Sequence, residues 1–217
     1  MSFGESLETQ RQNAKKSNDP AVQLEFAKYL IAAAETALRA TSDPKKAKKN
    51  QDALWAEALK WIKKLASSSG IGKAYPEAQF FLAECYGTGA LNLPTDRDKA
   101  FTLYNGASKQ SHPTATYRTA VCFEVGAGTK RDHARALQFY RKAAALGDTS
   151  AMYKLGMILL NGLLGQARSP KEGVTWLNRA AKQADETAPH ALHELGLLYE
   201  GKGAETMGNV IPVSYCL

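Results

Sequence analysis

Ala78-Gln79-Phe80-Phe81-Leu82-Ala83-Glu84-Cys85-Tyr86-Gly87-Thr88-Gly89 is the stretch from which the fold can be read. A small residue is followed four and five places later by a large and a small one, then by an aromatic, then by a Gly-x-Gly turn. The arrangement recurs at Ala115, Thr119, Ala120 and Phe123, at Ala151, Leu155, Gly156 and Leu159, and at Ala191, Leu195, Gly196 and Tyr199. The anchors are 37, 36 and 40 residues apart, and Val22, Phe26, Ala27 and Leu30 form a weaker first copy. Apolar residues at i, i+4 and i+8 put one stripe on one side of a helix. Gly87-x-Gly89, Gly126-x-Gly128, Gly162 and Gly201-x-Gly203 then end these helices as glycine C-caps do.

A second pattern fills the space between copies. Ala58, Trp61, Ile62 and Leu65 match Ala100, Leu103, Tyr104 and Ala107, then Ala136, Phe139, Tyr140 and Ala143, then Gly173, Trp176, Leu177 and Ala180. Small residues at i and i+7 with bulky ones between let two helices approach closely. Asp96 and Ser169-Pro170 read as starts of such helices. The period predicts an all-α chain, a right-handed helical solenoid of antiparallel helix pairs of the tetratricopeptide kind. First helices are expected near 21–40, 75–87, 113–125, 149–161 and 188–200, and second helices near 52–68, 96–110, 132–146 and 170–184. Residues 1–18 read as an N-terminal extension, 19–203 as the solenoid of four pairs plus one unpaired helix with a basic insert near 40–50, and 204–217 as an irregular tail.

With 217 residues, 44% hydrophobic and 23% charged, the composition is globular. No apolar run reaches the roughly 18 residues of a membrane span, and Met1-Ser2-Phe3-Gly4-Glu5 has no signal pattern, so a soluble chain of the cytosolic side is expected. The net charge of +7 is uneven: residues 1–73 carry +5, residues 74–148 carry +2 and residues 149–217 carry none. The excess centres on Lys45, Lys46, Lys48 and Lys49, which reads either as a solvated linker or as a contact for an anionic membrane surface. No nucleic-acid motif accompanies it, and no nucleic-acid partner is expected.

Catalysis is not expected. Gly70-Ile71-Gly72-Lys73 lacks the first glycine and the hydroxyl residue of a phosphate loop. His190 and His193 share a helix, but no third ligand accompanies them, so neither metal nor cofactor is expected. Cys85 and Cys122 fall seven residues after their anchors, where Ile158 and Leu198 stand in later copies, which marks them as core thiols. Two residues after the anchors stand Phe80, Tyr117, Tyr153 and His193; six after stand Glu84, Val121, Met157 and Leu197. These eight are the candidate partner-binding residues. An aromatic ladder at this spacing serves either as a groove for a polypeptide or as stacking between repeats.

The pattern Ala-x3-Leu-Gly-x2-Tyr, the Gly-x-Gly turn and Ala-x2-Trp-x3-Ala resembles the Sel-like repeat, most clearly at Ala191 to Tyr199 and Gly173 to Ala181, with Gly173 in place of the usual alanine. Longer strings, Arg11 to Pro20, Ala78 to Gly89 and Ala151 to Gly165, resemble the fungal chitin synthase regulators over about residues 7 to 212. That resemblance implies a non-enzymatic scaffold that binds and activates a chitin synthase and helps place it at sites of growth and septation in cell wall synthesis. Peripheral association with the plasma membrane is expected through that partner or through the four lysines read above. Some family members carry a C-terminal prenylation signal; here Cys216 is penultimate and the Cys-a-a-X pattern is absent. The competing readings are a general Sel-like adaptor in signalling or protein degradation, and a secreted repeat hydrolase, which the scattered cysteines oppose.

Family members continue with further repeats. Leu192, Leu195, Leu198 and Tyr199 would then form an exposed apolar patch, and Val213-Ser214-Tyr215-Cys216-Leu217 departs abruptly from the family's linker. Val-Ser can be encoded by GTGAGT, a common intron donor, so the last five residues are expected to come from an unspliced intron. Sequencing the transcript across codon 212 tests this: a mature message encoding Val-Ser-Tyr-Cys-Leu and a stop, with no spliced form, refutes it.

Overall fold

The computed structural model describes residues 3–40, 43–67, 74–183 and 190–199. Among them are ten α-helices, one 3-10 turn and no strand: α1 (Phe3–Lys16), α2 (Pro20–Ala40), α3 (Pro44–Ala66), α4 (Pro76–Thr88), α5 (Arg97–Lys109), α6 (Pro113–Val125), α7 (His133–Ala145), α8 (Thr149–Asn161), α9 (Pro170–Lys182) and α10 (His190–Tyr199). They form two compact units, residues 1–110 and 111–217. In the first, α2 packs on α3, α3 on α4 and α4 on α5; in the second, α6 packs on α7, α7 on α8, α8 on α9 and α9 on α10.

The helices begin and end where local chemistry requires. Asp96, Asp132 and Asp148 cap α5, α7 and α8 by accepting from the backbone N–H of Lys99, Arg135 and Ala151 at 2.9, 2.9 and 2.8 Å. Gly89, Gly126 and Gly162 close α4, α6 and α8 in the left-handed conformation, at φ of 75°, 78° and 69°. One backbone bond recurs in each repeat: Asp96, Asp132 and Ser169 donate their N–H to the carbonyls of Tyr86, Phe123 and Leu159 at 2.9, 2.8 and 2.7 Å. Each acceptor lies eight residues after its anchor, so the bond sets where the second helix starts against the first.

The anchors are the floor of the packing. Ala78, Ala107, Ala115, Ala136, Ala143, Ala151 and Ala180 are fully buried. At the α8–α9 crossing even alanine is too large. A Cβ on Gly173 would lie 2.9 Å from the Gly156 carbonyl oxygen and 3.0 Å from the Leu160 nitrogen, and one on Gly156 would lie 2.8 Å from Leu177 Cγ. The obstacles to a Gly173 Cβ are backbone atoms, which cannot turn aside, and this is why Gly173 stands where other repeats have alanine.

Three expectations are corrected. Residues 44–50, expected within an insert between helices, are the first two turns of α3, capped by Asp43, with Ala47 buried. The lysine run hides the helix because its single core-facing residue is small. Residues 3–16, within the expected extension, form α1, and Ala14 is buried against the first unit. The apolar patch expected on the last helix is largely covered: Leu195 and Leu198 are 6% and 9% exposed and pack with Leu160, Val174 and Leu177, while Leu192 is 54% exposed. The side chain of Tyr199, the turn Gly201-x-Gly203 and the loop Gly70 to Lys73 lie outside the described residues.

Two substitutions test the register. Ala115→Leu overfills a fully buried position and is expected to cost about 1–3 kcal/mol. Gly173→Ala is expected to cost a similar ~1–3 kcal/mol by forcing two helix backbones apart. Urea denaturation measures both, and unchanged midpoints would refute this packing.

Candidate partner-binding surface

Of the residues two places after the anchors, Phe80, Tyr117 and Tyr153 lie half-buried on the first helix of their pair. Phe80 on α4 lies 6.1 Å from the ring of Tyr104 on α5. Tyr117 on α6 lies 5.8 Å from Tyr140 on α7. Tyr153 on α8 lies 5.8 Å from His190 on α10, and His193 is exposed. Six places after the anchors, Glu84 and Val121 are half-buried, Leu197 likewise, and Met157 packs against the cluster of Leu160, Leu177 and Leu195. Within the second unit, Tyr117, Tyr153 and His193 stand on α6, α8 and α10. Phe80, Tyr117 and Tyr153 each meet a neighbouring ring at a tilt, of 48°, 51° and 39°.

Beneath the ladder is an element that periodicity does not reveal. Tyr104 and Tyr140 both stand four residues after a second-helix anchor, and each phenol donates to a carboxylate. Tyr104 Oη donates to Glu84 Oε1 at 2.6 Å. Tyr140 Oη makes a short bond to Glu124, which also accepts from Lys154 Nζ at 2.9 Å, and Lys154 Nζ lies 6.0 Å above the Tyr140 ring. The Tyr140–Glu124–Lys154 cluster thus joins α6, α7 and α8. The carboxylate is not in register: Glu84 comes six residues after its anchor and Glu124 nine. Gly87 stands nine after the anchor in α4 and Val121 six after it in α6. These sites are one turn apart on one helix face, so either can supply the acceptor. In the α8–α9 pair the tyrosine is replaced by Leu177, and the two corresponding places hold Met157 and Leu160. Acceptor and phenol are present together or absent together, as the cost of burying an unpaired polar group demands.

Titration follows from this packing. Burial, with Glu124 next, pushes the Tyr140 phenol well above its usual range. Burial, with Glu84 next, pushes the Cys85 thiol up to about 11, so it stays protonated at neutral pH and is a poor nucleophile. Among the described residues no group of three His, Cys, Asp or Glu side chains could hold a metal ion, and no helix is long and apolar enough to cross a membrane.

Helix pairs of fixed length, closed by glycine caps and packed on small anchors, recur in known proteins. Residues 76–112, 113–148 and 149–185 each match the Sel1 repeat family, together half of the chain. The chain belongs to the Sel1 repeat family. The matched segments are the pairs α4–α5, α6–α7 and α8–α9. This Sel1 repeat chain is 37% identical over 204 residues to chitin synthase regulatory factor 3 of Schizosaccharomyces pombe, which covers 92% of this chain and 22% of that protein. It is 36% identical over 206 residues to chitin synthase regulator SKT5 of Saccharomyces cerevisiae, with 89% and 29% covered. The chain therefore spans about a fifth to a third of these relatives. A crystal structure of a protective antigen from uropathogenic Escherichia coli, described as displaying an SLR fold, superposes with a TM-score of 0.67 at 24% identity, covering 91% of this chain and 36% of that one. That likeness shows the helical-repeat fold.

Tyr140→Phe keeps the ring and removes the donor to Glu124. It is expected to lower stability by about 1.5–3 kcal/mol, the range for a hydrogen bond to a charged group. Denaturation at neutral pH checks this, and an unchanged midpoint would show that Lys154 alone satisfies Glu124.

Proposed function

We propose that this chain is the repeat segment of a chitin synthase regulator: a non-enzymatic scaffold that binds a chitin synthase and activates or localises it in fungal cell wall synthesis. The observation that carries the reading is the 36–37% identity, running through about nine-tenths of the chain, to proteins named as chitin synthase regulators. At nine-tenths of the chain the match extends beyond the three matched repeats into α2 and α3, so it exceeds what a shared repeat alone would supply. The chemistry agrees with a binding role: Cys85 is buried and protonated, and Asp96, Glu84 and Glu124 serve as a cap, a phenol acceptor and an ion-pair partner. The scaffold works at the cytoplasmic face of the plasma membrane at growth and septation sites, held there by its partner.

The partner-facing residues in this reading are those of the ladder, of which Phe80, Tyr117 and Tyr153 are partly exposed and His193 is exposed. Tyr117→Ala with Tyr153→Ala is expected to reduce co-precipitation of a tagged chitin synthase at least tenfold, with a smaller proportional loss in the denaturation midpoint. Capture of the synthase by wild type but equally by the double variant makes the aromatics stacking residues only. No capture by wild type, with other proteins retained instead, would favour a general repeat adaptor.

A further inference from the structure

The exposed face of α3 is a cationic surface for which the helix itself has little use. α3 carries seven lysines, Lys45, Lys46, Lys48, Lys49, Lys60, Lys63 and Lys64, all exposed, and none forms an ion pair among the described residues. Helical geometry puts Lys45, Lys46, Lys49, Lys60, Lys63 and Lys64 on one side, with the exposed Ala53 and Ala56 between them, over about 28 Å. Nearby acids are already engaged. Asp43 caps the helix, Asp52 accepts from the Asn92 amide at 2.8 Å, and Glu57 holds Arg11 through both oxygens at 2.8 Å.

Helix stability explains only part of this charge. Lys63 and Lys64 lie in the last turn, where the dipole favours cations, but Lys45 and Lys46 lie in the first turn, where it opposes them; the acid beside them, Asp43, is spent on the backbone N–H groups of the cap and pairs with neither ammonium. A helix that places like charges at its wrong end and leaves them unpaired breaks a local rule, as functional surfaces do. Beside the face runs a groove of about 520 Å³ between α1 and α3, lined by Arg11, Lys15, Glu57, Lys60, Trp61 and Lys64. The Arg11–Glu57 fork spans it, Phe26 meets the Trp61 ring edge-on at 5.8 Å, and Lys64 Nζ lies 5.4 Å from the centre of that ring.

We infer that the lysine face of α3 and the α1–α3 groove together dock an acidic polypeptide segment of a protein partner, its carboxylates along the lysines and an apolar side chain against Trp61. Charge complementarity selects an anion. The concave shape selects a narrow chain over a flat bilayer, since Trp61 is recessed between two helices and, among the described residues, the exposed large hydrophobics, Val22, Val125, Leu163 and Leu192, lie off α3. One aromatic without interleaved neighbours gives no stacking platform for nucleic acid. This deepens the scaffold reading by naming the chemistry of one docking segment, yet its test involves no synthase.

The probe is a fluorescein-labelled twelve-residue peptide of glutamate and aspartate with one central phenylalanine, titrated with the full chain and followed by anisotropy. Lys45→Glu/Lys46→Glu/Lys49→Glu and Lys60→Glu/Lys64→Glu are each expected to weaken binding at least tenfold, and the control Lys171→Glu/Lys182→Glu on α9 less than twofold. A peptide with alanine for the phenylalanine is expected to bind several-fold more weakly to wild type. Circular dichroism checks that the variants fold, and Lys60→Gln/Lys64→Gln, expected to lose about half as much on a logarithmic scale, replaces any that do not. Equal loss in the α9 control would reduce the effect to net charge and overturn the site. So would co-sedimentation with phosphatidylserine vesicles, or binding of an oligonucleotide, in place of the peptide. A failure here leaves the synthase proposal standing, because that proposal is read by synthase capture alone.

Discussion

Close contact between small residues at the crossings of paired helices is the constraint on which the structure depends. Ala78, Ala115 and Ala151 on first helices and Ala107, Ala136, Ala143 and Ala180 on second helices are fully buried and leave no room to grow. Because the crossing is short-range, the start of each second helix must be set to within a residue. The recurring backbone bond from Asp96, Asp132 or Ser169 to the carbonyl eight places after the anchor provides that setting. The glycine caps turn the chain so that this bond can form. Small anchors, cap and bond are thus one device repeated, and the larger residues between them are free to vary.

That freedom is visible in the polar clusters. One repeat places its carboxylate at Glu84 and the next at Glu124, and the third needs none because Leu177 has replaced the phenol. What is held constant is the satisfaction of a buried hydroxyl, not the position that satisfies it. Lys154 extends one of these clusters to a third helix.

The repeat was legible because its signal is spacing: alanine and glycine anchors and the Gly-x-Gly turns recur at nearly fixed intervals. The second-helix tyrosines were visible too, but their acceptors were not, since a carboxylate one turn out of register defeats alignment. The front of α3 was obscured for a different reason. Ala47 is the one core-facing residue in a run of lysines, and an alanine among lysines carries almost no apolar period. For the last helix, periodicity correctly picked out Leu195 and Leu198 as apolar but could not show that Leu160, Val174 and Leu177 suffice to cover them.

The lengths of α2 and α3 carry one more consequence. They have 21 and 23 residues where α4 to α9 have 13 each, so this hairpin runs on by roughly 12–15 Å. Among the side chains described there, the buried ones are alanines: Ala33 and Ala34 on α2 and Ala47 on α3. They bring the backbones together while removing little apolar area from water. These alanines therefore hold their part of the hairpin with less buried apolar area than Leu30 and Ile62 supply further down. Amide hydrogens in that part would exchange with solvent ahead of those in the crossings, and an arriving ligand could be met by a surface that loosens and re-forms on a faster timescale than the rest of the first unit.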